Sequence, residues 1–206
     1  GILQNAGYEP TPHADTADVI VINTCAVRQK PVHKVFSRLG EMRRIKENRP
    51  DTVIVVAGCV AQVAEKQLSE RAPYVDILVG PRNLCSLRSA IAQAQHTGAV
   101  LTNDTVVIPE GLPQARTDGV NAYVNIMYGC NNFCAYCIVP YARGREQSRS
   151  PESVIQEVRT ALRDGYPQIT LLGQNVNSYR GLDANGKTVD FANLLEMVCQ
   201  VEGLRR

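Results

Sequence analysis

Residues 52–57 read TVIVVA, an unbroken apolar run typical of a strand that is covered on both faces. A second run of this kind occupies residues 18–23 (DVIVIN), and residues 75–79 (VDILV) are a third predicted strand. Each run is followed by a segment with helical spacing or helical composition, over residues 32–45, 61–71 and 84–94. The order β-α-β-α-β-α predicts an α/β fold with a parallel sheet and helices packed on both faces.

A second βα series follows this first domain. Residues 121–127 and 168–172 are predicted strands, and residues 191–201 are a predicted helix. A further helix is expected to begin after Ser150, a suitable N-cap, and to run to about residue 163, with Gly165 as its stop signal. The predicted organisation is therefore a domain at residues 1–95, a linker at 96–118 with a short strand over 105–108, and a second domain at 119–206.

Composition and charge exclude several classes of protein. The chain has 206 residues, with 22 basic and 20 acidic side chains, so its net charge of +2 does not by itself indicate nucleic-acid binding. No apolar run reaches the ~18 residues of a membrane span, and the first residues do not resemble a secretion signal. Seven cysteines, an odd number, argue against a disulfide framework. The chain begins with Gly1 and ends just after a helical pattern, so we expect it to be truncated at both ends and to lack its first strand.

Three of the cysteines lie in one loop, residues 129–137, GCNNFCAYC. The spacing Cys-x3-Cys-x2-Cys allows Cys130, Cys134 and Cys137 to bind one metal centre. A structural zinc site needs a fourth ligand, but all three histidines lie in the first half of the chain and the one later cysteine, Cys199, lies in a predicted helix. Three thiolates suit a [4Fe-4S] cluster with one open iron. A zinc site, or three unrelated buried cysteines, remain alternatives.

The cysteine loop, with Tyr136 before its last cysteine, resembles the motif of the radical SAM superfamily. The longer stretch 129–149, GCNNFCAYCIVPYARGREQSR, resembles the MiaB-type tRNA methylthiotransferases. Four more segments carry the same resemblance: DVIVINTCAVR (18–28), KVFSRLG (34–40), VAGCVAQ (56–62) and LLGQNVNSY (171–179). The resemblance implies an N-terminal parallel-sheet methylthiotransferase domain, followed by the first βα units of a radical SAM partial barrel.

The resemblance also implies two [4Fe-4S] clusters and S-adenosylmethionine as cofactors. The first cluster would be held by Cys130, Cys134 and Cys137, and its open iron would bind S-adenosylmethionine and cleave it to a 5′-deoxyadenosyl radical. The second cluster would be held by Cys25 and Cys59, with a third ligand upstream of residue 1. Each of these two cysteines follows a predicted strand, which places both at the carboxyl edge of the sheet.

Five further residues are candidate cofactor contacts. Gln174 and Asn175 follow the second predicted barrel strand, although a simple polar turn explains them nearly as well. Tyr136 belongs to the motif itself, and Arg143 and Arg145 can pair with the cofactor carboxylate or with tRNA phosphates. Together with Arg149, these two arginines form a basic cluster whose simplest interpretation is a solvated surface.

The function implied by the resemblance is the addition of a methylthio group to C2 of N6-dimethylallyladenosine at tRNA position 37. The alternatives are the same chemistry on a ribosomal-protein aspartate or on threonylcarbamoyladenosine, and a non-catalytic, metal-bearing RNA-binding module. The implied partners are tRNA and an electron donor such as flavodoxin or ferredoxin, with an unidentified sulfur donor, no membrane and a cytoplasmic location. We expect these 206 residues alone to be inactive.

Overall fold

A computed structural model of the chain describes residues 1–26, 29–94, 99–102, 110–111, 114–116 and 119–206. The chain divides into two compact units. The first unit comprises Gly1–Leu112 together with Ala135–Arg143, and the second comprises Pro113–Cys134 together with Gly144–Arg206. Within the described residues, no helix combines the length and the apolar character needed to cross a membrane.

The first unit is built on a parallel sheet of four strands in the order β1-β2-β3-β4. The strands are β1 Val19–Thr24, β2 Val53–Gly58, β3 Ile77–Val79 and β4 Ala99–Leu101. The helices of this unit are α1 Ile2–Asn5, α2 Gln29–Asn48, α3 Cys59–Val63, α4 Glu65–Arg71, α5 Leu87–Gln93 and α6 Val139–Arg143. Short 3-10 helices cover Ala14–Thr16 and Pro81–Ser86.

Alternate residues of the fully buried strand β2 point to opposite faces of this sheet. Ile54 and Val56 pack with Leu39 of α2 and Leu68 of α4 in one apolar cluster. Val53, Val55 and Ala57 pack in a second cluster, to which α5 contributes three side chains, those of Leu87, Ala90 and Ile91. The predicted α/β fold, with helices on both faces of a parallel sheet, is therefore confirmed.

Two details of the first unit differ from the sequence prediction. The single helix expected over residues 61–71 is two helices, because the chain leaves helical geometry at Ala64, where no glycine or proline signals a break. Residues 99–101, which the pattern assigned to a linker, form β4, an edge strand too short to show any periodicity. The strand expected over residues 105–108 lies outside the described residues.

The second unit contains the predicted βαβα arrangement. Its elements are β5 Asn121–Asn125, β6 Met127–Tyr128, β7 Gln147–Ser148, α7 Pro151–Arg163, β8 Gln168–Leu172, β9 Arg180–Leu182, β10 Thr188–Asp190 and α8 Phe191–Cys199. Strands β5 and β8 pair in parallel, from Asn121 opposite Gln168 to Asn125 opposite Leu172. Helix α7 begins as expected: the Ser150 hydroxyl accepts a hydrogen bond from the backbone N–H of Ser153.

Two segments of the second unit that were predicted as loops contain regular structure. The long loop after β5 holds the antiparallel pair β6–β7, and the segment after β8 holds a 3-10 helix at Val176–Ser178 and the antiparallel pair β9–β10. These strands are two or three residues long, and a period of two residues cannot be recognised over so short a run.

Candidate functional site

Two cysteines lie at the carboxyl edge of the sheet in the first unit. Cys25 directly follows β1, and Cys59 is the first residue of α3, directly after β2. The last residues of the two strands, Thr24 and Gly58, are register partners, so both cysteines follow paired positions at the same edge. The Cys25 side chain is exposed, whereas Cys59 is only 4% exposed. Two free thiols therefore follow neighbouring strands at one sheet edge, as the sequence predicted.

The Thr24 side chain fixes the turn that carries Cys59. Its buried hydroxyl donates to the carbonyl of Ala57 at 2.6 Å and accepts from the backbone N–H of Val60 at 3.2 Å. Gly58 lies between these contacts with φ +97°, and a Cβ at this position would stand 2.3 Å from the Thr24 carbonyl oxygen. Only glycine therefore fits this turn without moving the backbone.

The segment that carries Cys137 belongs to the first unit. Helix α6, which follows Cys137, contacts α3 and the 3-10 helix Pro81–Ser86. The Arg82 Nε donates to the carbonyl of Arg143 at 2.7 Å, which ties the end of α6 to that 3-10 helix. Tyr136 is 93% exposed and Cys137 is half-buried. Cys137 therefore precedes a helix that packs beside the helix beginning at Cys59.

The first half of the cysteine loop belongs to the second unit and is held by the segment Gly144-Arg145. The backbone N–H of Cys130 donates to the carbonyl of Gly144 at 3.2 Å. Phe133 has φ +46°, an unusual value for a residue with a side chain, and the Arg145 guanidinium lies 5.5 Å from the centre of its ring. Cys130 is buried and Cys134 is exposed.

The three loop cysteines have the chemistry of a soft metal centre, and they belong to different units: Cys130 and Cys134 to the second, Cys137 to the first. All seven cysteines of the chain are free thiols. Across the described part of the chain, no three His, Cys, Asp or Glu side chains are grouped so that they can hold a metal ion. The division between the two units falls directly after Cys134. The donor set and its spacing therefore fit an iron–sulfur cluster, whereas their convergence stays a prediction.

The turn after β8 contains a buried side-chain acceptor. The Gln174 Oε1 is inaccessible to solvent and has no hydrogen-bond partner among the described residues. The turn is tightly packed, because a Cβ at Gly173 would lie 2.5 Å from the Met127 side chain. A buried carbonyl oxygen without a hydrogen-bond donor costs free energy, so the Gln174 Oε1 is a candidate acceptor for a ligand.

Arg149 is not part of a solvated surface, which corrects the sequence-based interpretation of the basic cluster. It is only 3% exposed and pairs with Glu157 of α7 at 2.6 Å. Its guanidinium also donates to the carbonyl of Asn125 at 2.6 Å and to the Ser153 hydroxyl at 2.8 Å. The buried Tyr179 hydroxyl donates to the Arg149 carbonyl at 2.8 Å. Arg149 therefore anchors the end of the cysteine loop to β5 and α7.

Sequence reasoning missed the roles of Arg149 and Glu146. Glu157 lies eight residues after Arg149, on the inward side of a helix whose N-cap was correctly predicted, but a spacing of eight residues does not by itself indicate a contact. Glu146 contacts Asn131 and Ser178, which are 15 and 32 residues away in sequence. No local pattern reports contacts of that range.

Two family models match the chain. "Uncharacterized protein family UPF0004" matches residues 1–80, and "Radical SAM superfamily" matches residues 124–204, which include all three loop cysteines. The first match covers most of the parallel sheet, and the second begins near the end of β5 and covers α7, β8 and α8. The predicted combination of a methylthiotransferase-type domain and the beginning of a radical SAM domain agrees with this order.

Three relatives that match all or nearly all of the chain are each named tRNA-2-methylthio-N(6)-dimethylallyladenosine synthase. The relative from Carboxydothermus hydrogenoformans is 46% identical over 100% of this chain and 48% of its own length. The relative from Moorella thermoacetica is 48% identical over 100% of this chain and 47% of its own length. The relative from Cupriavidus necator is 46% identical over 97% of this chain and 45% of its own length. The chain thus spans about half the length of the curated relatives it matches.

Proposed function

This chain belongs to the family of MiaB-type radical SAM methylthiotransferases, and we propose that it carries the radical-generating part of a tRNA methylthiotransferase. The reaction is the addition of a methylthio group to C2 of N6-dimethylallyladenosine at tRNA position 37. The observation that carries the proposal is the Cys-x3-Cys-x2-Cys loop inside the radical SAM match, in a chain similar from end to end to synthases of that name.

Cys130, Cys134 and Cys137 would hold the radical SAM [4Fe-4S] cluster. The support is chemical: three free thiols lie within eight residues of one loop, and three thiolates leave one iron of such a cluster open. When bound, the cluster supplies the electron that cleaves S-adenosylmethionine. Such radical chemistry is needed because no side-chain acid or base can remove the hydrogen from an unactivated aromatic C–H.

Gln174 would orient S-adenosylmethionine at the end of β8. Its buried Oε1, which has no donor among the described residues, can accept a hydrogen bond from an N–H group of the cofactor. Asn175 lies next to it in the same turn. In the other unit, the exposed ring of Tyr136 offers an apolar face to the cofactor. Arg143 and Arg145 offer guanidinium donors to the cofactor carboxylate or to tRNA phosphates.

Cys25 and Cys59 would hold the second [4Fe-4S] cluster, the one associated with the sulfur that is transferred. Their shared position at one sheet edge supports this assignment. The turn at Thr24 and Gly58 would keep Cys59 in place. The third ligand would come from a segment upstream of residue 1. With tRNA as its substrate, the protein would act in the cytoplasm. An electron donor such as flavodoxin or ferredoxin would reduce the cluster.

A chimaera tests the proposed reaction. Residues 1–206 of this chain replace the matching segment of the Moorella thermoacetica relative, and the chimaera is expressed in cells that lack their own methylthiolation activity. Mass spectrometry of tRNA nucleosides should detect the 2-methylthio form of N6-dimethylallyladenosine, and the Cys134→Ala chimaera should not produce it. Methylthiolation of threonylcarbamoyladenosine or of a ribosomal-protein aspartate instead would contradict the assigned substrate.

A further inference from the structure

We propose that Glu146 is a positioning residue that couples the cysteine loop to the cofactor-binding turn after β8. The inference rests on the proposed function, because it assigns Glu146 to the site at which S-adenosylmethionine would bind. Glu146 lies between the cysteine loop and β7, and all the contacts that carry the argument lie within the second unit.

The backbone of Glu146 contacts the cysteine loop. Its N–H donates to the Oδ1 of Asn131, the residue directly after Cys130, at 3.1 Å. The two preceding residues hold the same loop: Gly144 accepts from the backbone N–H of Cys130, and Arg145 lies over the ring of Phe133. Three consecutive residues, 144–146, therefore fix the conformation of residues 130–133.

The side chain of Glu146 reaches the other segment. Its Oε2 accepts a hydrogen bond from the Ser178 hydroxyl at 2.6 Å. The same hydroxyl lies 2.8 Å from the carbonyl oxygen of Asn175, and the backbone N–H of Ser178 donates to that oxygen at 3.0 Å. Through Ser178, the carboxylate therefore holds the turn that contains Gln174 and Asn175.

The two contacts use different atoms, so substitutions can separate them. Any residue at position 146 other than proline keeps the backbone N–H and hence the bond to Asn131. Replacing the side chain removes only the link to Ser178, which is a charge-assisted hydrogen bond and thus among the stronger ones. Loss of that link should loosen residues 173–179 and leave the cysteine loop as it is.

The experiment uses the 206-residue chain and its Glu146→Ala, Glu146→Gln and Ser178→Ala variants. Amide hydrogen exchange of the cluster-free chain is expected to increase over residues 173–179 in Glu146→Ala, and to remain unchanged over residues 129–134. After anaerobic reconstitution, the variant should load as much iron as the wild type but bind S-adenosylmethionine about tenfold more weakly, the loss expected for one charge-assisted hydrogen bond. Glu146→Gln, which keeps an acceptor oxygen, should recover most of the affinity.

Glu152→Ala is the matched control. Glu152 also accepts a hydrogen bond from a segment 32 residues away, the backbone N–H of Ala184, but it does so from α7. This control should change neither the exchange over residues 173–179 nor the cofactor affinity. The double variant Glu146→Ala/Ser178→Ala should be no weaker than Ser178→Ala alone, because Ser178→Ala already removes the bond that Glu146→Ala removes.

The inference is overturned if Glu146→Ala leaves exchange over residues 173–179 at the wild-type level. It is also overturned if a variant that loads iron binds S-adenosylmethionine within about twofold of the wild type, a difference too small for a lost charge-assisted bond. A wild-type chain that loads no iron would instead contradict the proposed function. The exchange measurement, made without the cluster, would still test the link between Glu146 and Ser178.

Discussion

Replacing Arg149 with alanine should destabilise the second unit much more than replacing an exposed arginine of the same unit. The side chains of Arg149 and Glu157 are only 4% and 16% exposed, and they pair at 2.6 Å. The guanidinium also satisfies the carbonyl of Asn125 and the hydroxyl of Ser153. Its removal leaves the Glu157 carboxylate desolvated and without its cation, and breaking a buried pair from one side costs about 3–5 kcal/mol.

The assay must report on the second unit alone, because the chain has two units. Urea-dependent hydrogen exchange of the amides in α7 meets this requirement. Arg159→Ala is the control, since Arg159 lies exposed on the same helix and should change the free energy of unfolding by less than about 0.5 kcal/mol. Replacing Arg149 and Glu157 together with methionine and leucine should cost less than Arg149→Ala alone, because no charge is then left buried.

The importance of the Arg149–Glu157 pair is contradicted if Arg149→Ala lowers the free energy of unfolding of α7 by less than about 1 kcal/mol. Such a value is well below the cost of an uncompensated buried charge. It is also contradicted if the control at Arg159 is equally destabilising. Either result would mean that the end of the cysteine loop is not anchored through this guanidinium.

Three further perturbations test the elements that surround the site. Ser150→Ala should destabilise α7 by about 1 kcal/mol through loss of its N-cap, measured by the same exchange method, and an unchanged value would contradict the cap. Gly58→Ala should lower the thermal stability of the first unit, because its Cβ would meet the Thr24 carbonyl oxygen at 2.3 Å; an unaltered melting temperature argues against the tight turn. The backbone N–H of Asn193 holds the pKa of the Asp190 carboxyl below its usual value. The stabilisation of α8 by the ionised Asp190 cap should therefore be fully present above about pH 3.9, and it should be lost as the pH falls through the lower folded-state pKa. An NMR titration that places this pKa at or above the usual value would refute the cap at Asp190.

Long apolar runs and cap residues made much of the fold predictable. The run at residues 52–57 gave strand β2 to within one residue, because a strand buried on both faces needs apolar side chains at every position. Ser150 and Gly165 marked both ends of α7, since each has a local backbone role: the Ser150 hydroxyl caps the first turn, and Gly165 has φ +90°. The short strands β4, β6, β7, β9 and β10 were not recognised, because two or three residues carry no periodicity; the equally short β3 was recognised only from the longer run at residues 75–79.

The candidate site was predictable in its chemistry but not in its long-range contacts. The spacing of the loop cysteines and the position of Cys25 and Cys59 after strands are visible in the sequence, because both depend on neighbouring residues. The burial of Arg149 depends on packing against α7, and the bond between Glu146 and Ser178 joins segments 32 residues apart. Such contacts follow from the fold as a whole, and no local pattern encodes them.

The radical SAM site can be tested by anaerobic reconstitution of the chain, with bound iron counted and the EPR spectrum of the reduced protein recorded with and without S-adenosylmethionine. We expect about four iron atoms per chain and a spectrum that S-adenosylmethionine alters. Both should be lost in Cys130→Ala, Cys134→Ala or Cys137→Ala and retained in Cys85→Ala, whose thiol is exposed on the 3-10 helix after β3. Binding of zinc in place of iron, or a spectrum that S-adenosylmethionine leaves unchanged, would contradict the radical SAM site and favour a metal-bearing RNA-binding module.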